Sequence, residues 1–209
     1  MTDFARLMSD YFVKYLAGQK GSGSNTMKTY RDTFVQLLEF MDEKKHIRAD
    51  CIEVDSFSYD IINEFLEYLE KEKRVSISTR NNRLAAIRSF FKYTGYHEPK
   101  YLNISTSIRE ISKKKTEGRQ MNYLSVNAME HFLNSFDKTD HKELRCFCIV
   151  LLLYESGARV TELCNVRRYD LHLEKPYTMI LHGKGDKIRS VPLDGLVADV
   201  ISNYIQKYR

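Results

Sequence analysis

Glu155-Ser156-Gly157-Ala158-Arg159-Val160-Thr161-Glu162-Leu163 is the stretch on which the reading of this chain turns. It follows an apolar run, Phe147 to Tyr154, that ends on the small residues Ser156-Gly157-Ala158. A new helical pattern then begins, with Val160, Leu163 and Val166 spaced to share a face. Arg159 stands at the start of that pattern, where the helix dipole prefers an anion. An arginine there makes sense if the anion is a ligand, gripped by the guanidinium together with the free N–H groups of the first turn. Glu162, three residues on, is placed to reach back and fix the rotamer of Arg159. Taken alone, an arginine at a helix start is more often a solvated surface residue.

Working outward, Met179-Ile180-Leu181-His182 reads as a strand, Gly183-Lys184-Gly185-Asp186 as a tight turn, and Lys187-Ile188-Arg189-Ser190-Val191-Pro192-Leu193 as the returning strand. Lys184 is thereby expected at the tip of a β-hairpin. The order, spacing and context of Leu153 to Leu163, then Asp170-Leu171, then Gly183 to Leu193 resemble the tyrosine recombinase (phage integrase) family, including its Xer-type members. The resemblance implies that Arg159 is the first catalytic arginine, Lys184 the hairpin lysine, and Glu162 the acidic residue that supports the arginine.

The chain has 209 residues, 43% of them hydrophobic, with no apolar run long enough to span a bilayer. No signal-peptide pattern opens it, since Asp3 and Arg6 interrupt the first apolar residues. Cys51, Cys146, Cys148 and Cys164 form no Cys-x-x-Cys pair, which argues against a zinc knuckle and for small buried thiols in a reducing compartment. A soluble cytoplasmic protein is the expectation. The net charge is +5, unevenly spread: Lys71 to Gln120 holds 13 Lys and Arg against four Glu and no Asp, a net +9, which leaves −4 for the rest. A basic centre in a slightly acidic chain suits either a polyanion partner or a solvated linker.

In the N-terminal half, apolar spacing predicts helices over about Asp3 to Leu16, Asn25 to Glu43, Tyr59 to Glu72 and Ser78 to Tyr93. The second carries Lys28, Thr29, Asp32 and Gln36 opposite its apolar stripe. The fourth places Leu84, Ile87 and Phe91 inward with Phe90 at the edge, and Asn82, Ala85, Ala86 and Ser89 outward. Periodicity alone says only that both are amphipathic. Ser24 to Arg31 and Ser78 to Phe91 resemble the second- and fourth-helix signatures of the same family's core-binding domain. That resemblance implies helices facing the DNA major groove, with Lys28, Thr29, Arg31, Thr79, Arg80, Asn82, Arg83, Arg88 and Lys92 as DNA contacts, joined by Lys187 and Arg189 of the hairpin.

The expected organisation is mainly α with a small β-hairpin or sheet: a helical core-binding (SAM-like) domain over 1–100, a basic linker over 101–121, and the N-terminal part of a catalytic domain over 122–209. Within the last, Ser125 should cap a helix ending near Phe136, with Ala128, Met129, Phe132 and Leu133 inward. A helix over about Lys142 to Tyr154, apolar nearly all round, should be central to the core. A last helix should begin near Leu196. The resemblance further implies duplex DNA as partner, a tetramer on paired sites for the full-length protein, and side-chain cations in place of any metal or other cofactor. The family's His-x-x-Arg motif and nucleophilic tyrosine follow the hairpin lysine and find no match here. Tyr204 and Tyr208 are expected to be packing residues, and the chain to be the N-terminal part of a longer, cleaving enzyme, inactive alone. The alternative is a catalytically inert DNA-binding or regulatory protein using the same clamp.

Overall fold

Thr2, Ser58, Ser76, Ser125 and Asp140 each stand one residue ahead of a helix and accept a backbone N–H of its first turn. These local caps fix where the helices start. They belong to a computed structural model that describes residues 1–19, 23–116, 118, 122–183, 185 and 187–208. The chain forms two compact units, Met1–Arg119 and Gln120–Arg209.

In the first unit α1 (Asp3–Asp10) continues into a wider π-helical stretch, Tyr11–Gln19. The wide turn suits Tyr11 and Leu16, five residues apart and both fully buried. Then follow α2 (Ser24–Lys45), α3 (Tyr59–Lys71), α4 (Ile77–His97) and α5 (Leu102–Glu110). The core is aromatic. Phe90 lies at its centre, with ring centroids 5.6 Å from Phe4, 5.4 Å from Tyr11, 5.3 Å from Phe34 and 5.3 Å from Phe91.

Two expectations are corrected here. Phe90 and Ala86, assigned to the edge and outer face of the fourth helix, are both fully buried. α4 packs against α2, α3 and α5, so most of its circumference is core and the assumption of one wet face fails. The linker also starts later than residue 101. Tyr101, Ser105, Ile108 and Ile111 are buried, and α5 packs along α4. Its polar residues hid an apolar stripe, Ile104, Ile108 and Ile111, at helical spacing.

The unit's ends are clasped. The Asp3 carboxylate accepts Lys100 Nζ at 2.6 Å and the Tyr101 hydroxyl at 2.9 Å, while Arg6 donates to Glu98 at 2.7 Å. These partners hold the Asp3 carboxyl down at about 2, Lys100 contributing most.

The second unit holds α6 (Val126–Asn134), α7 (His141–Ser156), α8 (Val160–Cys164) and α9 (Gly195–Tyr208). Between α8 and α9 lies an antiparallel sheet of order β1-β2-β3: Leu171–His172, Thr178–His182 and Ile188–Pro192. The hairpin is as expected, with β1 added beside it by Leu171 opposite Met179. Its core gathers Phe147, Cys148, Leu152, Met179, Leu181, Leu193, Val197 and Ile201. Two expectations fail. α6 has no buried residue, and Phe132 is largely exposed. α7 is buried on one side only, with Ile149 and Tyr154 open to solvent. Apolar sequence on all sides of a helix promises burial only where neighbours exist to supply it, and for the same reason Cys148 is buried while Cys51, Cys146 and Cys164, expected inside, are exposed. Tyr204 packs against this core and, with Tyr208, lies over the ring of His141. Among the described residues no helix is long and apolar enough to cross a membrane.

Candidate functional site

The break after the apolar run is a helix end. Gly157 closes α7 in the left-handed conformation (φ 58°), its N–H bonded to the Leu153 carbonyl at 3.0 Å. Ser156 Oγ accepts the Ala158 N–H, and Glu155 accepts the N–H of Asp194 just past β3, so the turn is tied down at both ends. Arg159 follows in extended conformation as the N-cap of α8.

Glu162 organises what comes next. It is 3% exposed, and its carboxylate takes four hydrogen bonds. Oε2 accepts the Arg159 N–H at 2.9 Å and Oε1 accepts Arg159 Nη1 at 2.7 Å. Arg189 of β3 adds a fork, Nη1 to Oε1 at 3.2 Å and Nη2 to Oε2 at 2.8 Å. The Arg159 backbone N–H, followed by the two guanidinium groups, outweighs burial and brings the Glu162 carboxyl down to about 2. The Arg159 N–H is not free for a ligand, because Glu162 already occupies it, and α8 is only five residues long. The side chain of Arg159, 73% exposed, is what remains on offer. Two guanidinium groups against one carboxylate leave a net positive charge at this opening.

A second buried acid stands nearby. Asp170 accepts the Arg167 N–H at 2.8 Å and faces His182 Nε2 at 3.1 Å. The Arg167 N–H first, and His182 after it, lower its pKa. His182 is the last residue of β2, and Gly183 N–H then bonds the Lys187 carbonyl at 2.7 Å to close the base of the hairpin. Lys184, the expected hairpin lysine, lies outside the described residues. Lys187 is exposed beside it in sequence.

In the first unit the expected DNA contacts divide. Lys28, Arg31, Asn82 and Lys92 are exposed, and Thr29 and Thr79 are half-buried. Lys92 Nζ sits 5.8 Å from the centroid of the Tyr96 ring. Arg83 donates to the Thr29 carbonyl at 2.9 Å and to Thr33 Oγ1 at 3.2 Å, which puts the start of α2 beside the first turns of α4. Arg88 bonds the Arg109 carbonyl. Arg80 is 5% exposed, paired with Glu70 at 3.1 Å and bonded to the Ser112 carbonyl at 3.2 Å. A guanidinium so placed is an internal tie, not a hand held out to a phosphate. Asn81 and Lys114 exchange two further bonds, and Lys114 Nζ reaches Glu70 at 2.8 Å. The basic segment therefore spends part of its charge on the protein itself, a use its composition does not reveal. Sequence reasoning also missed the Asp170–His182 pair and the partner of Arg189. No group of three or more His, Cys, Asp or Glu able to hold a metal ion occurs among the described residues.

Two family models match the chain: "Phage integrase, N-terminal SAM-like domain" over residues 10–99 and "Phage integrase family" over 122–208. Tyrosine recombinase XerC of Staphylococcus aureus is 27% identical over 97% of this chain and 64% of its own length. Tyrosine recombinase XerD of Listeria innocua is 29% identical over 96% of this chain and 64% of its own. Both are thus matched over slightly less than two thirds of their length. Among solved structures, XerH site-specific recombinase bound to palindromic difH substrate, in a post-cleavage complex, has the same fold, with TM-score 0.66 at 23% identity over 96% of this chain and 56% of that one.

Proposed function

Because this chain belongs to the phage integrase family, the Xer-like tyrosine recombinases, we propose that it grips duplex DNA as the larger part of a site-specific recombinase. In the complete enzyme a tyrosine hydroxyl beyond the matched region attacks a DNA phosphodiester. The P–O5′ bond breaks, a 3′-phosphotyrosyl bond forms, and a 5′-hydroxyl leaves. The phosphoryl bond energy is kept, so a second 5′-hydroxyl reverses the step without ATP. Arg159 is the group that meets the charge growing on the non-bridging oxygens. Lys184 is the acid that protonates the leaving 5′-oxygen. No cofactor is assigned to the reaction. The 209-residue chain alone binds without cutting, and the complete enzyme works as a tetramer on paired sites, in the cytoplasm. The domain assignment proposed is a core-binding domain through α5, a short basic linker, and part of a catalytic domain from residue 122.

One observation carries this reading: Arg159 is exposed while its backbone and one guanidinium nitrogen are fixed by a buried carboxylate. That is how a cation is held ready for an anion it has not yet met. For DNA, the exposed Lys28, Arg31, Asn82 and Lys92 are the contacts retained, with Thr29, Thr79 and Lys187 beside them. Arg83 and Arg88 shape the surface from behind.

The test has two arms. In a gel-shift titration of the chain, Lys28→Ala with Arg31→Ala should weaken duplex binding and reduce the salt slope by about 2, one for each phosphate contact. In the complete polypeptide, Arg159→Ala should slow strand cleavage by roughly 10²-fold or more with binding nearly intact. An unaltered slope removes the start of α2 from the interface, and unaltered cleavage removes Arg159 from the chemistry.

A further inference from the structure

We infer that Arg189 is a positioning residue: through the Glu162 carboxylate it ties the returning strand of the β2–β3 hairpin to the turn that carries Arg159. This rests on the role proposed above for Arg159. It replaces the reading of Arg189 as a DNA contact.

Strand register supplies the first reason. Arg189 pairs with Leu181, and Val191 with Met179. Directly paired residues share a face of the sheet, and so do residues two apart on one strand. Leu181 and Met179 are both fully buried. Arg189 therefore springs from the core side of β3, and its guanidinium, 42% exposed, turns onto the buried Glu162 carboxylate. Glu162 is that partner, with both oxygens engaged by the fork.

Gly183 supplies the second reason. A Cβ built there would lie 3.2 Å from Glu162 Oε1 and 3.3 Å from the Lys187 carbonyl oxygen. The base of the hairpin thus leaves no room for a side chain beside the same carboxylate. One buried oxygen pair binds the Arg159 turn and β3, with Gly183 close by. A lysine at position 189 would keep the charge but could not make the two parallel bonds.

Two measurements test this. In the 209-residue chain, the Glu162 carboxyl is titrated by carbon-detected NMR. It should titrate near 2 in the parent and move up toward the ordinary carboxylate range in Arg189→Gln. The sign follows from the lowered folded value: this carboxylate stabilises the fold above its unfolded pKa, and that contribution is lost as the pH falls toward 2. In the complete polypeptide, Arg189→Lys should cleave at saturating DNA at least about tenfold more slowly while duplex affinity stays within about twofold. Wild-type cleavage by Arg189→Lys overturns the inference. So does a Glu162 titration indifferent to Arg189→Gln, and so does a loss of affinity and salt slope by Arg189→Ala that Arg189→Lys restores along with cleavage, which would make residue 189 a DNA contact. A parent polypeptide that binds but never cleaves would instead refute the recombinase reading, and the titration would then decide the positioning claim by itself.

Discussion

Phe90 in the first unit and Phe132 in the second are both helical phenylalanines with aromatic neighbours, yet the first is sealed from solvent and the second stands 44% exposed. The difference lies in what surrounds the helix. α4 is flanked by α2, α3 and α5, whereas α6 packs mainly against α7. The first unit is therefore held by a dense aromatic interior. The second relies more on polar ties between segments: Glu162 with its two arginines, Asp170 with His182, Glu155 with the Asp194 N–H. The groups assigned to chemistry sit in the less densely packed unit, where local adjustment costs less.

Substitutions of like kind in the two units would break or sharpen this contrast. The largest effect is expected from Phe90→Ala, which empties the centre of the aromatic cluster and should cost the first unit about 3–5 kcal/mol in a denaturant melt. A loss below about 1 kcal/mol would mean that the core is not as tight as its rings suggest. Next come the caps. Ser58→Ala and Ser125→Ala each remove one side-chain acceptor at 3.2 Å from a first-turn N–H. Each should cost about 1 kcal/mol, equally in the two units, because a cap is a local term. Unequal costs would show that the contrast reaches beyond core packing. The smallest change is expected from Tyr154→Ala on the open side of α7, within about 0.5 kcal/mol of the parent in the same melt. A cost of several kcal/mol there would mean that this face is covered in solution.

The positions of the amphipathic helices were legible in the sequence. α2 and α3 lie within two residues of where spacing put them, and Ser125 caps α6 as expected. Burial was less legible, because it depends on which neighbours cover a helix. α4 hid its burial behind Ala86 and Arg80, because an alanine and a paired arginine look like surface when read by hydropathy. α5 hid among lysines, serines and threonines. In the site, the Arg159–Glu162 link was legible because three residues on a helix bring side chains together. The Arg189–Glu162 link was not, since it joins positions 27 residues apart. A trace of it was present all the same: alternation in Arg189-Ser190-Val191 puts the arginine on the same side as a valine that packs against the core.

The clasp at Asp3 joins residues 97 and 98 positions apart. A nascent chain leaving the ribosome therefore makes α1 early and must wait for about a hundred residues before the polar clasp can close. Its aromatic side is covered in stages, by Phe57 and then by Phe90. Synthesis of this unit carries a built-in interval of exposure, and a pause by the ribosome before Tyr101 would lengthen it.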